Sequence, residues 1–375
     1  MVFEAAVNLQ NSSTGWIESR LDLFGSPEIE KQPQPEKFMK IVSFHQSLPI
    51  SDPESFLDLT ADKPLAGARD LLVEIHAIGI NPVDAKIRGG GGPGAPGGSL
   101  KILGWDAAGI VRAVGPEVTL FEPGDEVFYA GSVDRPGCYA EFECVDERIV
   151  GYKPKSVGFA ESAAMPLTTI TAWEMLFDRL KIDRVKEGAL LIVGGAGGVG
   201  SIGIQLAREL TKLKVIATAS RSETQNWCLK MGAHHVIDHR QPLSSQVKAI
   251  VPGGVDYVLG LTKIEDHFEE IIESMTPQSA VALIENPARP LEITLLKPKS
   301  ISLHWEFMFT RPVFQTPDMN EQGRLLTELG HLMDAGRIQT TLQSNLGKIT
   351  AENIKRAHAL IESGRSIGKI VLAGF

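Results

Sequence analysis

A run of glycines at residues 194–200 has the composition and spacing of a phosphate-binding loop. Gly195, Gly197 and Gly200 match the pattern G-x-G-x-x-G. In that pattern the first glycine permits a tight turn, the second lets the backbone approach a pyrophosphate, and the third lets a helix pack on a strand. Backbone N–H groups at the start of a helix attract phosphate. The residues expected to bind a dinucleotide here are Gly195, Ala196, Gly197, Gly198, Val199 and Gly200.

A second candidate contact follows the next apolar segment, residues 215–219. A site for NAD usually has Asp or Glu at the end of this strand, where the carboxylate accepts a hydrogen bond from a ribose hydroxyl. This chain has Ser220 and Arg221 instead. A serine hydroxyl and a guanidinium can both donate to a 2′-phosphate. The pair therefore predicts NADPH as cofactor, unless Arg221 is a solvated surface charge.

The elements that must position these residues alternate between strands and helices. Apolar residues after the glycines recur at spacings of three and four, as on one face of a helix; they are Val199, Ile202, Leu206, Leu210 and Leu213. Strands are predicted at residues 189–193, 215–220, 234–238, 255–260 and 280–284. Such alternation indicates βαβ units and a parallel sheet. The alternative is a glycine-rich turn in some other α/β unit.

The regions on either side have a different sequence pattern. Short β segments broken by Gly and Pro predict a small barrel or sandwich; the clearest are at 39–42, 71–78, 109–114 and 125–129. Helices are predicted at 168–180, 323–335 and 351–363, and a last strand at 369–373. The first 38 residues resemble an extension with a short helix at 16–24, either a disordered tail or a docking segment. Residues 89–98 are predicted to form a flexible glycine-rich loop.

Composition excludes several classes of function. The 375 residues have a net charge of −9 and no basic run, which argues against nucleic acid as a partner. No apolar stretch is long enough for a membrane helix, and the first residues do not form a secretory signal. Three cysteines cannot build a disulfide framework, so a reducing, cytoplasmic setting is expected.

Several motifs together carry a family resemblance. They are GINPVD at 79–84, GWDAAG at 104–109, PGDEV at 123–127 and the glycine run at 194–200. The chain resembles the medium-chain dehydrogenase/reductase superfamily, in its quinone oxidoreductase or zeta-crystallin-like branch, and a subgroup often labelled zinc-type alcohol dehydrogenase-like. The resemblance implies an α/β fold in which a GroES-like β-barrel catalytic domain receives an inserted Rossmann domain with a doubly wound parallel sheet. The corresponding boundaries are 1–37 for the extension and linker, 38–164 and 307–375 for the barrel domain, and 165–306 for the Rossmann domain.

The resemblance conflicts with the zinc label. Zinc-dependent relatives carry a cysteine ligand where this chain has Asn81, and a His-Glu pair where it has Trp105 and Asp106. A catalytic zinc needs about three protein ligands, and an amide or an indole does not replace them. We therefore expect no metal. Without a Lewis acid an alkoxide is hard to stabilise, so hydride transfer from NADPH to a quinone or an α,β-unsaturated carbonyl is the implied reaction.

Three residues are candidates for the catalytic chemistry. Asn81 matches the position that lines the nicotinamide pocket in relatives, but an Asn before Pro also favours a turn. Thr171 matches a position near the nicotinamide, or is an ordinary polar residue early in a helix. Tyr129 is either a proton donor or a half-buried tyrosine of the barrel.

The resemblance adds further cofactor contacts. His239 matches a residue that borders the 2′-phosphate in relatives. Arg365 and Lys369 match a stretch that contacts cofactor phosphates in some relatives, or are solvated charges. A homodimer is also expected. Two alternative functions stay open, a zinc-type alcohol dehydrogenase and an NADPH-binding sensor or structural protein without turnover.

Overall fold

The computed structural model describes residues 37–90 and 101–375. The extension with its predicted helix at 16–24, and most of the predicted loop at 89–98, lie outside the described residues. Within the described ranges no helix is long and apolar enough to cross a membrane.

The first half of the chain forms β-sheets, as its short Gly- and Pro-bounded apolar segments predict. Its elements are β1 (Phe38–Phe44), β2 (Leu57–Asp62), β3 (Asp70–Ile80), α1 (Pro82–Arg88), β4 (Lys101–Ile102), β5 (Ala107–Val114), β6 (Glu126–Tyr129), β7 (Phe142–Asp146) and β8 (Val150–Tyr152). Short 3₁₀ turns span Pro53–Ser55 and Glu147–Ile149.

The middle of the chain alternates between helices and strands. Its elements are α2 (Phe159–Ala163), α3 (Pro166–Trp173), a π-helical continuation (Glu174–Arg179), β9 (Glu187–Val193), α4 (Gly198–Leu210), β10 (Lys212–Thr218), α5 (Ser222–Lys230), β11 (His235–Ile237), α6 (Leu243–Ile250), β12 (Val255–Gly260), α7 (Phe268–Ser274), β13 (Met275–Leu283) and β14 (Ser302–Trp305). Further 3₁₀ turns span Ile264–Asp266 and Ile293–Lys299.

The last part returns to the barrel. Its elements are α8 (Thr310–Phe314), α9 (Glu321–Asp334), β15 (Leu342–Asn345), α10 (Ala351–Glu362) and β16 (Lys369–Ala373). Strand β16 pairs antiparallel with β3, in a sheet of order β15-β16-β3-β5-β6-β8 to which β7 adds on β3. A separate sheet has the order β2-β1-β4. Both ends of the described chain therefore build one β domain.

The inserted sheet has six parallel strands in the order β11-β10-β9-β12-β13-β14. Numbered within the sheet, that order is 3-2-1-4-5-6, the Rossmann arrangement. Alternate residues of β9 face two different cores, because Leu190 and Ile192 join one cluster while Leu191 and Val193 join the other. A strand buried on both faces is continuously apolar, as parallel strands are. The predicted fold class is confirmed.

Candidate active site

The glycine run joins β9 to α4 and leaves backbone donors at the start of the helix. Ser201 N–H donates the first bond of this helix to the carbonyl of Gly197, at 2.9 Å. The N–H groups of the three preceding residues have no acceptor within the helix, as at every helix start. They lie at the carboxyl end of the first strand of a Rossmann sheet, next to the point where the strand order reverses, which is where such sheets bind dinucleotides.

The individual glycines are required for different reasons. The left-handed turn is made by Gly194, with φ of +90°, one residue before the motif. A Cβ on Gly195 would lie 2.7 Å from Cβ of Ala217, and a Cβ on Gly200 only 2.4 Å from the carbonyl oxygen of Gly194. A Cβ on Gly197 would meet nothing closer than 3.7 Å. Packing thus requires glycine at 195 and 200, whereas nothing in the described chain crowds position 197.

Ser220 and Arg221 follow β10, at the same edge of the sheet. The guanidinium of Arg221 pairs with Glu223 at 2.9 Å and donates to the backbone carbonyl of Arg365 at 2.9 Å. The structure thus brings Arg221 next to Arg365, whose side chain is exposed. Sequence reasoning missed Arg240, which donates to the carbonyl of Ser220 at 2.7 Å while Asp238 holds its guanidinium.

His239 lies on the loop that carries Arg240. Its ring centroid is 6.0 Å from that of His267. Burial, and then the nearby His267, lower the pKa of His239 below its usual value. A neutral imidazole next to Arg240 can donate or accept a hydrogen bond without adding charge.

A buried polar cluster joins three distant parts of the β domain. Asn81 lies between β3 and α1, Asp106 precedes β5, and Lys369 begins β16. The Lys369 ammonium donates to Asp106 Oδ2 at 2.7 Å, to the carbonyl of Ile80 at 3.1 Å and to Oδ1 of Asn81. Nδ2 of Asn81 donates to Asp106 Oδ2 at 2.9 Å, and the N–H of Leu167 donates to Oδ1 at 2.8 Å. The three side chains satisfy one another.

Burial dominates the electrostatics of this cluster. Asn81 and Asp106 are each 1% exposed and Lys369 is 3% exposed. Burial raises the pKa of Asp106, and the Lys369 ammonium opposes that rise. A buried carboxylate without its cation would be strongly unfavourable, so the ion pair and its hydrogen bonds hold each other in place.

Lys369 also connects this cluster to the glycine loop. A Cβ on Gly198 would lie 3.0 Å from Cδ of Lys369, so the lysine stem crosses the first turn of α4. The preceding N–H, of Gly368, donates to the carbonyl of Ala196 at 2.9 Å. In this structure the ammonium points into the cluster, whereas the sequence predicted a contact with cofactor phosphate. Contact of Lys369 with a phosphate stays a prediction.

A second set of buried groups supports Asn81 from behind. Asp84 Oδ2 accepts from the N–H of Asn81 at 2.8 Å and from the hydroxyl of Tyr139 at 3.0 Å, and that hydroxyl lies 3.1 Å from Nε2 of His358. Burial raises the pKa of Asp84 to about 7 and lowers the pKa of His358 to about 3. Asp84 thus caps α1 and fixes the backbone of Asn81.

The positions that correspond to zinc ligands have other partners. The indole N–H of Trp105 donates to the carbonyl of Ser132 at 3.0 Å, and Asp106 is held by Lys369 and Asn81. The ammonium already supplies the positive charge between Asn81 and Asp106. In the described residues no three His, Cys, Asp or Glu side chains come together as metal ligands. This donor set does not fit a catalytic zinc.

The other two predicted catalytic residues form no hydrogen bond with this cluster in the described structure. The Tyr129 hydroxyl donates to Glu143 Oε2 at 2.9 Å inside the barrel, where burial raises the pKa of Tyr129 and raises that of Glu143 to about 8. The Thr171 hydroxyl donates to the carbonyl of Leu167 at 2.8 Å within α3. Their catalytic roles stay predictions.

Two buried carboxyl groups lie close together, near the places where the chain is predicted to pass from one domain to the other. Glu174 begins the π-helical segment and Glu306 follows β14. Arg311 and Gln322 donate to Glu174 Oε1 at 2.7 and 3.0 Å, and Arg179 donates to Glu306 Oε2 at 2.7 Å. Within the described residues the other oxygens of both glutamates accept no hydrogen bond, although Glu174 Oε2 lies 3.8 Å from the Arg179 guanidinium. Burial, and then the neighbouring Glu174, raise the pKa of Glu306 to about 9, so a proton on Glu306 can join the two carboxyl groups.

Comparison with known proteins identifies relatives over most of the chain. Residues 67–174 match the model of an alcohol dehydrogenase GroES-like domain, and residues 231–372 match that of a zinc-binding dehydrogenase. A zinc-type alcohol dehydrogenase-like protein of Staphylococcus aureus is 39% identical over 338 residues, which are 89% of this chain and 99% of the relative. A quinone oxidoreductase of Sus scrofa is 30% identical over 323 residues, 82% of this chain and 90% of the relative.

Solved structures of similar fold come from the same kinds of protein. A putative zinc-dependent alcohol dehydrogenase from Rhizobium etli is 52% identical, with a TM-score of 0.86 over 90% of this chain and 98% of that one. Escherichia coli quinone oxidoreductase complexed with NADPH shares the fold, at 23% identity and a TM-score of 0.74, over 89% of this chain and 99% of that one.

Proposed function

The chain belongs to the medium-chain dehydrogenase/reductase superfamily, and from that premise we propose that it is a zinc-independent reductase that uses NADPH to reduce a quinone or an α,β-unsaturated carbonyl. An oxidoreductase with a nicotinamide cofactor is what the family and its quinone oxidoreductase members support. The observation that carries the finer proposal is the Lys369 ammonium between Asn81 and Asp106.

The tethered ammonium argues against chemistry that needs a metal. Oxidation of a simple alcohol develops negative charge on one oxygen, which a zinc ion would stabilise directly. All three N–H groups of Lys369 are engaged by Asp106, Asn81 and the carbonyl of Ile80, so the ammonium is not free to replace that ion. A quinone or enone spreads the charge by conjugation and needs only a hydrogen-bond donor at its oxygen.

Asn81 is the donor that we assign to that oxygen. One N–H of its amide is held by Asp106 at 2.9 Å, whereas the other has only a long contact of 3.5 Å with the carbonyl of Gly79. A contact of that length is a weak hydrogen bond and is readily exchanged for a better acceptor. Lys369 and Asp106 fix which end of the amide carries the N–H groups. The nicotinamide, when bound, supplies the hydride.

The cofactor phosphates are assigned to the glycine loop and to the residues that follow β10. The N–H groups that open α4 would hold the pyrophosphate, and Ser220 and Arg221 the 2′-phosphate. Arg221 is only about one-third exposed and is already oriented by Glu223 and the carbonyl of Arg365. Arg240, beside Ser220, adds a second positive charge at this corner.

The test is turnover by protein dialysed against a chelator, with its metal content measured. We expect NADPH-dependent reduction of quinones or enones at far less than one zinc per chain. Loss of activity to the chelator and its return with zinc would instead indicate a zinc-type alcohol dehydrogenase. Binding of NADPH without turnover of any compound in the panel would indicate a sensor or structural protein.

Asn81→Ala separates the assigned role from a turn residue. One lost donor at a developing oxyanion lowers turnover on the order of 10²-fold, so kcat should fall while the Kd for NADPH changes little. Gln46→Ala, a glutamine outside the cluster, is the control. Parental kcat in Asn81→Ala would remove Asn81 from the reaction.

A further inference from the structure

A cleft of about 430 Å³ opens at the end of the parallel sheet that lies away from the glycine loop. It is lined by residues just before or at the start of strands, among them Lys186 before β9, Asp256 in β12 and Ser302 in β14. The glycine loop follows the other end of β9, whose seven residues span roughly 20 Å. The cleft is therefore distinct from the dinucleotide site.

The lining is polar and carries excess positive charge. Arg179, Lys181 and Lys186 contribute positive charge, against one carboxylate, Asp256, in the described lining, whereas burial, and then Arg179 and Lys181, lower the pKa of His304. Asp256 is already engaged, because its Oδ2 accepts from the N–H of Ala189 at 2.8 Å. In the part of the chain that the structure describes, Lys181 and Lys186 form no ion pair. Their charges are available to a ligand.

The backbone around the cleft is shaped unusually. Lys181 has φ of +49° and Gln278 has φ of +62°, and both residues line the cleft. Left-handed backbone is unfavourable for residues other than glycine and persists where the surroundings enforce it, often at ligand sites. Gln278 lies in a bulge of β13, because Val255 pairs with Met275 whereas Tyr257 pairs with Ala280. Bulges re-aim side chains at such sites.

Arg179 links the cleft to the interior of the molecule. Arg179 is a lining residue, and its guanidinium donates to buried Glu306 at 2.7 Å. An anion that draws on the same guanidinium competes with Glu306, whose other neighbour is Glu174 at the predicted crossing between the domains. An anion bound in the cleft would thereby change the ion pairs of the segments that connect the barrel to the Rossmann domain.

We propose that this cleft is a second binding site, for a small anion that carries a phosphate group, and that Lys181, Lys186 and Arg179 hold it. The hydroxyl group of Ser302 adds a donor, whereas the hydroxyl of Ser279 already donates to the carbonyl of Thr276 at 2.6 Å. Phosphate is favoured because several cations around one cleft match its multiple acceptor oxygens. The site does not depend on the proposed reductase activity.

The experiment titrates inorganic phosphate into the full chain without cofactor, by calorimetry at constant ionic strength held with chloride. Lys181→Gln/Lys186→Gln should lose at least tenfold in affinity at one class of sites, since each charge-assisted contact contributes about tenfold. Both lysines are exposed, so the variant should fold normally. Arg221→Ala, which changes the glycine-loop end, is the matched control and should keep that class of sites.

Three results would overturn the proposal. One is equal phosphate binding by the parent and Lys181→Gln/Lys186→Gln. Another is loss of all binding in Arg221→Ala, which would place the phosphate at the dinucleotide site. The third is a change of oligomeric state in the double lysine variant without a change in phosphate affinity, which would identify the cleft as an interface between copies of the chain. Each is measured without NADPH, so failure here is separate from failure of the reductase assignment.

Discussion

The two ends of the candidate active site are built in opposite ways. The glycine loop is a contiguous stretch of backbone whose first helical N–H groups have no acceptor within the helix. The cluster of Asn81, Asp106 and Lys369 consists of side chains up to 288 residues apart that satisfy one another. The loop therefore keeps backbone donors that a ligand could use, whereas the side chains of the cluster satisfy one another. Changes in the loop that leave its packing intact should act mainly on binding, and loss of a charged partner in the cluster mainly on folding.

The largest effect is expected from Lys369→Met, which removes the ammonium and keeps the stem. Asp106 would then be buried without its cation, at a cost of about 3–5 kcal/mol in the free energy of unfolding. Burial raises the pKa of Asp106 above its unfolded value, and loss of Lys369 raises it further. Because the folded state then holds a proton that the unfolded state releases, the variant should be least destabilised at acidic pH and lose stability as pH rises.

Urea denaturation at several pH values measures this effect. Lys369→Met/Asp106→Asn is the matched control and should recover much of the loss, since it removes the uncompensated charge. If Lys369→Met unfolds at the parental urea concentration, the cluster does not stabilise the fold, and the contrast between the two ends fails.

Glu306 and Glu174 form a side-chain cluster in which a proton, rather than a cation or a ligand, joins two groups. Variants of Glu306 test this case. With its pKa raised to about 9, the folded protein binds a proton that the unfolded chain, near 4.5, has lost. This contribution to stability is fully present below about pH 4.5 and is lost as pH rises toward 9, at up to about 1.4 kcal/mol per pH unit. Glu306→Gln keeps a donor for Glu174 and an acceptor for Arg179, so its stability should vary less with pH.

The measurement is the free energy of unfolding between pH 5 and 9. Glu306→Ala, which removes the donor and leaves a cavity, should be destabilised throughout the range. A parental pH profile in Glu306→Gln would mean that the two carboxyl groups share no proton.

A matched pair of glycine variants separates packing from binding within the loop. A Cβ at Gly200 collides with the carbonyl of Gly194, so Gly200→Ala should lose about 1–3 kcal/mol of stability. A Cβ at Gly197 meets nothing within 3.7 Å and its φ of −73° suits alanine. Gly197→Ala should therefore keep the parental Tm and weaken NADPH binding, because the added methyl group stands where the pyrophosphate must approach. Equal losses of stability in both variants would contradict this distinction.

Arg221→Ala has a smaller effect, confined to the choice of cofactor. One charge-assisted contact with the 2′-phosphate is worth about tenfold or more in affinity. The parent should bind NADPH at least tenfold more tightly than NADH, and the variant should lose most of that preference at unchanged NADH affinity. Arg324→Ala, on the exposed side of α9, is the control. Equal affinities of the parent for both cofactors would refute the assignment.

The smallest effect, close to zero, is expected from removing residues 1–36. Strand β1 begins at Phe38, and the carbonyl of Lys37 accepts from the N–H of Lys63 at 2.9 Å, so a chain that starts at Lys37 keeps that contact. Every contact described at either end of the site is made by later residues. The Tm of the truncated chain and its Kd for NADPH should match those of the full chain. A much lower Tm or much weaker NADPH binding would show that the extension is docked.

Local patterns predicted the regular elements well. The strands at 255–260 and 369–373 were predicted with the bounds that the structure shows. Short strands with few apolar residues, such as β4 and β15, were missed because their pairing depends on distant partners. The helix predicted at 168–180 is interrupted by the π-helical segment, where Glu174 turns toward Arg311. Tertiary contacts of this kind leave no periodic signal in the sequence.

In the candidate site, too, local features could be predicted and contacts between distant residues could not. The place of the glycine loop between a strand and a helix could be predicted because a backbone phosphate site of this type needs glycines at fixed spacing; its binding of phosphate stays a prediction. The role of Asp106 could not, because it depends on Lys369 reaching it from 263 residues away. The sequence offered Asp106 only as a residue that replaces a zinc ligand. The clue that was available is the burial of a carboxylate in an apolar segment, which requires a cation from elsewhere.

The position of β16 also bears on the order in which this protein folds. Lys369 is made after every other residue of its cluster; the strand that it begins pairs with β3, and the preceding Gly368 pairs with Gly197 of the glycine loop. During synthesis, the barrel segments that contain Asn81 and Asp106 cannot form the cluster until the whole Rossmann insertion has been made. Closing such long loops is slow, and partly folded chains expose surfaces that aggregate. The nascent barrel half is therefore the stage at which this chain would most need a chaperone.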